Sequence, residues 1–106
     1  MKAYDLYGVS ASDLDSARRL VESRLGIQLV AHESGYHCGD YFRLGDTGAE
    51  HFILQQNYDS FENEWTEPEH QRIKFLLYVN ETLRSEAIAA AFASEAGIEL
   101  IRHQEL

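Results

Sequence analysis

Ile73-Lys74-Phe75-Leu76-Leu77-Tyr78-Val79 decides the fold, because six of its seven side chains are apolar or aromatic. A strand that reads as a nearly continuous hydrophobic run is buried on both faces, so this segment belongs in the centre of a sheet. Upstream, Asp40–Leu44 and Glu50–Gln56 read as two strands joined by the turn Gly45-Asp46-Thr47-Gly48, whose glycines tolerate positive φ. Downstream, the pattern predicts a helix from about Thr82 to Ala96, with Leu83, Ala87, Ile88, Ala91 and Phe92 as its apolar stripe and Gly97 as its stop.

Residues 4–33 and 75–104 align without a gap at an offset of 71. Leu6 and Tyr7 fall on Leu77 and Tyr78, Gly26 and Ile27 on Gly97 and Ile98, Leu29 on Leu100, and His32 on His103. Each copy reads strand, helix, strand. The first helix is expected to start near Ser10 or Ser12, to bury Leu14, Ala17, Val21 and Leu25, and to stop at Gly26. The expected order is βαββββαβ in one domain spanning residues 1–106. The fold class is α+β, with two helices packed on one face of a mainly antiparallel sheet: a ferredoxin-like βαβ duplication with an inserted β-hairpin. The opposite sheet face is then expected to be partly open, with polar Glu50 and Gln56 flanking Phe52 and Leu54.

The chain has 106 residues and 44% hydrophobic content, enough to bury a core. Eighteen acidic side chains stand against nine basic ones, giving a net charge of −9, which disfavours nucleic acid and anionic membranes and favours cationic partners. Cys38 stands alone, so no internal disulfide forms, and no stretch resembles a signal peptide or a membrane span. These features point to a reducing cytoplasm.

The charge is concentrated between Tyr58 and Glu69. There Asp59, Glu62, Glu64, Glu67 and Glu69 interleave with Tyr58, Phe61 and Trp65, and no lysine or arginine lies among them. Exposed aromatic area costs about 25 cal/mol per Å² unless the fold or a partner covers it. A contact surface therefore fits the stretch better than an acid and base pair, which needs two environments that push carboxyl pKa values apart.

No other group reads as catalytic. His37, Cys38, Asp40 and His51 are metal-ligand types, but adjacent His37 and Cys38 point to opposite faces of an extended segment and lack the usual ligand spacing. Cys38 has only Arg43 nearby to activate a thiolate. His32 and His103, equivalent in the repeat, suggest a paired ligand site, although solvated histidines are the commoner case. No glycine-rich phosphate loop precedes a helix. Neither a metal nor another cofactor is expected.

Four segments carry a family resemblance: Tyr4-Asp5-Leu6-Tyr7-Gly8-Val9, Gly39-Asp40-Tyr41-Phe42, Phe52-Ile53-Leu54-Gln55-Gln56-Asn57-Tyr58-Asp59 and Leu76-Leu77-Tyr78-Val79-Asn80. With its acidic balance, the chain resembles bacterial immunity proteins that neutralise toxin domains, including those of contact-dependent growth inhibition systems. The resemblance implies a non-enzymatic inhibitor whose partner is a basic, nuclease-like toxin domain, bound through the acidic and aromatic side chains from Tyr58 to Glu69. The alternative is a homodimeric or small-molecule-binding module that uses Tyr41, Phe52 and Leu54 on an open sheet face.

Overall fold

The computed structural model describes residues 1–34 and 39–106. Six strands form one wholly antiparallel sheet: β1 (Ala3–Val9), β2 (Val30–Ser34), β3 (Gly39–Leu44), β4 (His51–Gln56), β7 (Phe75–Thr82) and β8 (Ile98–Glu105). Their spatial order is β2-β3-β4-β7-β1-β8. Two short strands, β5 (Tyr58–Asp59) and β6 (Glu64–Trp65), form a separate hairpin between β4 and β7.

The apolar run sits where its composition requires. In β7, Phe75, Leu77 and Val79 face the helices α1 (Leu14–Leu25) and α2 (Ser85–Phe92), while Leu76 and Tyr78 face the other way. The helix side holds the larger core, in which Tyr7, Val9, Phe52 and Leu54 from the sheet meet Ala17 and Val21 of α1 and Ile88 and Phe92 of α2. Both helices therefore cover one face, as the sequence implies.

α1 begins later than Ser10 or Ser12. Asp13 is the cap, and its carboxylate accepts from the Ser16 N–H at 2.7 Å and so satisfies one of the first-turn donors. Gly26 ends it in the left-handed conformation, φ 65°, as expected. The second helix is much shorter than its alanine content suggests. β7 runs on through Thr82, whose hydroxyl donates to Glu50 at 2.6 Å and accepts from the Arg84 N–H at 3.1 Å, so that segment is spent on strand and turn. Leu83 lies outside the helix and is 78% exposed. The helix ends four residues before Ala96, and the turn that follows returns the chain to β1, where the Ser10 N–H donates to the Gly97 carbonyl at 2.7 Å.

The strand, helix, strand order recurs, and both helices start at equivalent places, Leu14 and Ser85. The residue matches at offset 71 do not share an environment. Leu6 lies on the back of the sheet and Leu77 on the helix side, while Tyr7 and Tyr78 are reversed, because the β1–β7 register sets Leu6 opposite Tyr78 and Tyr7 opposite Leu77, and directly opposite residues share a face. The alternative surface of Tyr41, Phe52 and Leu54 is likewise corrected. Phe52 and Leu54 are 2% and 0% exposed against the helices, and Tyr41 sits on the other face, stacked on His32.

The back of the sheet is not open along β4 and β7. His51, Ile53 and Gln55 are buried there, and the connection between β4 and β7 folds beneath the middle strands. Near its end, Ile73 packs with Leu6, Leu76, Tyr78 and Ile101. Gly8 makes this possible: a Cβ there would come within 2.9 Å of Ile73 and 3.0 Å of Ile101. No helix among the described residues is long and apolar enough to cross a membrane.

Candidate functional site

The acidic stretch does not form a simple loop. It is held at its base by Asn57, which is completely buried. The Asn57 amide donates to the carbonyls of His70 (3.0 Å) and Ile73 (2.9 Å), and its side-chain oxygen accepts from the Glu67 N–H (2.8 Å). Its backbone adds bonds to Lys74 and Thr66. One asparagine thus ties together both ends of an insertion of about sixteen residues, a device suited to a side chain with two donors and an acceptor.

Above this base, Tyr58 pairs with Trp65 and Asp59 with Glu64. The two rings meet edge to face at 5.0 Å, and the Tyr58 hydroxyl donates to Asn63 at 3.2 Å. Asp59 Oδ1 accepts from the N–H groups of Phe61 (2.9 Å) and Glu62 (3.3 Å), which closes the turn as an Asx motif, while Asn63 takes φ 55°. Asp59 and Glu64 are like charges placed directly opposite, and the two N–H donors on Asp59 offset that repulsion.

The eight anticipated residues therefore divide into a tip and a leg. At the tip, Phe61 is 67% exposed, Tyr58 39% exposed, and Glu62 and Glu64 lie in solvent without an ion pair among the described residues. Trp65 is half-buried and, with Tyr58, Asp13, Leu14, Gln56 and Lys74, lines a groove of about 360 Å³ against the start of α1. In the leg, Glu69 is exposed on a single 3-10 turn, Pro68–His70.

Glu67 is tied into the fold. Arg102, from the far edge strand β8, pairs with it at 3.1 Å, and the Tyr78 hydroxyl donates to it at 2.6 Å. Burial acts to raise its pKa, but the bonds from Arg102 and Tyr78 outweigh it and hold the carboxyl below its ordinary range. Glu67 fastens the insertion to the sheet. The nearest lysine or arginine in sequence, Arg72, pairs with Glu99 instead, and only strand order reveals that Arg102 lies beside Glu67 in space.

A second polar cluster lies across the sheet. Asp5, 2% exposed, meets the Nδ1 of His103 and accepts from the Ser85 hydroxyl, while His103 Nε2 lies 3.2 Å from Glu105. The Ser85 hydroxyl lies 3.4 Å from the same His103 Nδ1 that meets Asp5, so the carboxylate sits between hydroxyl and imidazole, and the far nitrogen faces a second carboxylate. The cluster pins β8 and α2 to β1. Asp5, then Glu105, raises the His103 pKa above its ordinary value. Protonation of His103 therefore stabilises the fold fully below about pH 6.5, and this contribution is lost as pH rises through the raised value. Thermal melts between about pH 6 and 9 should show wild type exceeding His103→Gln most at the acid end, with the difference shrinking toward alkali. A pH-independent difference would assign the effect to packing.

Beside this cluster, burial and then Asp5 push the Tyr7 hydroxyl up to about 12. It is the only fully buried side-chain polar atom without a partner among the described residues, and its ring packs edge to face on Phe92.

His32 and His103 cannot share a ligand, since β2 and β8 are opposite edges of the sheet, five strand spacings or roughly 24 Å apart. Among the described residues, no group of three or more potential ligands is placed to hold a metal ion. His37 and Cys38 lie outside the described residues. Comparison with protein-family models, curated proteins and solved structures finds no match.

Proposed function

We propose that this chain is an immunity protein, a non-enzymatic inhibitor that binds a cognate basic bacterial toxin domain through the tip of the β5–β6 hairpin. The observation that carries this reading is the pairing, on one rigid turn, of the 67% exposed Phe61 with the solvated carboxylates of Glu62 and Glu64. An aromatic ring flanked by charge supplies an anchor that a partner can bury, and the carboxylates supply a field that draws a cationic surface toward it. The net charge of −9 and the lone cysteine fit an inhibitor that meets a phosphate-binding toxin in the cytoplasm.

The scaffold also supports a finer description. Strands β8-β1-β7-β4, with both helices on one face, follow the order of a ferredoxin-like sandwich, and β3 and β2 extend it at one side. In this view the hairpin between β4 and β7 is the partner-reading element carried on that frame.

Co-expression with a candidate basic toxin domain, such as the C-terminal domain of a large protein whose gene is found to adjoin this one, followed by affinity capture at low and high salt and a count of surviving cells, tests the reading. Rescue with a stoichiometric complex that weakens in salt is expected. The double substitution Glu62→Lys and Glu64→Lys should slow association by about tenfold or more while leaving the fold intact. Rescue that is insensitive to salt and to this reversal would place the interface elsewhere.

A further inference from the structure

The two edges of the sheet are built differently. β8 carries a bulge at Ile101, where its register with β1 shifts, and its charged side chains include Glu99, Arg102, His103 and Glu105. Bulges and charges are the usual devices that keep an edge from pairing with another strand. β2 has no bulge, and its one carboxylate, Glu33, is its only formal charge. Its register with β3 is unbroken over all five positions, it contains no proline, lysine or arginine, and Val30 is 54% exposed.

Two features beside β2 indicate what could lie along it. Glu33 stands directly opposite Asp40, both are exposed, and neither has an ion pair among the described residues. Like charges facing each other across two strands repel, and a cation placed between them would remove that cost. On the opposite side of the strand, His32 stacks on Tyr41 at 5.3 Å, giving a flat platform next to Val30. An open depression of about 400 Å³ runs along these residues.

We infer that β2 receives an extended segment of a protein partner, which adds as a further antiparallel or parallel strand and sets a lysine or arginine over Glu33 and Asp40. Backbone N–H and C=O groups turned outward from an edge strand supply the pairing, and alternation of side chains supplies the selectivity. The segment places its basic side chains on the carboxylate side and its apolar ones over the His32 and Tyr41 rings. A second copy of this chain is a poor occupant, because pairing β2 with β2 brings further carboxylates to the same place.

A synthetic peptide alternating valine and lysine, long enough to span the five residues of β2, is the probe, used with the full chain. Binding should appear as amide shifts in NMR confined to β2 and β3. A glutamate counterpart should bind about tenfold more weakly or worse, and the pair Glu33→Lys and Asp40→Lys should reverse that preference. N-methylation of alternate peptide amides should abolish binding although the charge is unchanged. Equal binding of the methylated peptide, no binding at millimolar concentration, or self-association of the chain through β2 would each overturn the proposal. The probe contains no toxin sequence, so the outcome is independent of whether the hairpin neutralises one.

Discussion

Replacing Asn57 by alanine is expected to lower folding stability by about 3–5 kcal/mol, a large part of the total for a domain of this size. The substitution leaves the Ile73 carbonyl without its donor and the Glu67 N–H without its acceptor, and it takes from the His70 carbonyl one of two donors, the Ile73 N–H remaining at 3.0 Å, all around a side chain with no exposure. Each abandoned group costs about 1–3 kcal/mol where water cannot replace the partner. Urea denaturation measures the loss, and hydrogen exchange should show the amides of residues 57–73 opening before those of the sheet. A loss below about 1 kcal/mol would mean that burial of Ile73 alone seats the insertion.

Phe61→Ala should produce the opposite profile. The ring is mostly in solvent, so the melting temperature should barely move, whereas the complex with the toxin domain should weaken by about 2–4 kcal/mol, chiefly through faster dissociation. This separation makes Phe61 a sharper test than Trp65, whose ring also packs on Tyr58. Calorimetric titration and surface-based kinetics would give both numbers. Unchanged affinity together with unchanged stability would remove Phe61 from the interface and leave the proposed function without its anchor.

Much of the scaffold could be read directly from the sequence because its signals are local. The apolar run at 73–79, the spacing of Ala17 and Val21, and the left-handed Gly26 each specify their own element. Asp59 as a turn cap is similarly local, since the carboxylate needs only two following N–H groups. What could not be read depends on the third dimension. The span 82–96 has helical composition throughout, but pairing of Thr82 with Ala3 and the return to β1 limit the helix to Ser85–Phe92. The role of Glu67 depends on Arg102, and that of Asp5 on His103, across separations of 35 and 98 residues. The repeat misleads for a related reason: offset 71 matches residue names, but the pairing of Leu6 with Tyr78 and of Tyr7 with Leu77 puts the matched side chains on opposite faces of the sheet.

The position of β1 also governs when the fold can form. This strand contributes Leu6 to one face and Tyr7 and Val9 to the other, and both of its neighbours come from residues 75–105. At roughly 5–20 residues per second, a ribosome needs several seconds to travel from Val9 to Ile98. Over that interval α1 and the β3–β4 hairpin can gather nearby contacts, but β1 has neither of its neighbouring strands to pair with. Assembly of this sheet must therefore wait for residues 75–105 and then close its longest loops at once, which predicts slow, high-contact-order folding with the apolar side chains of β1 uncovered until then.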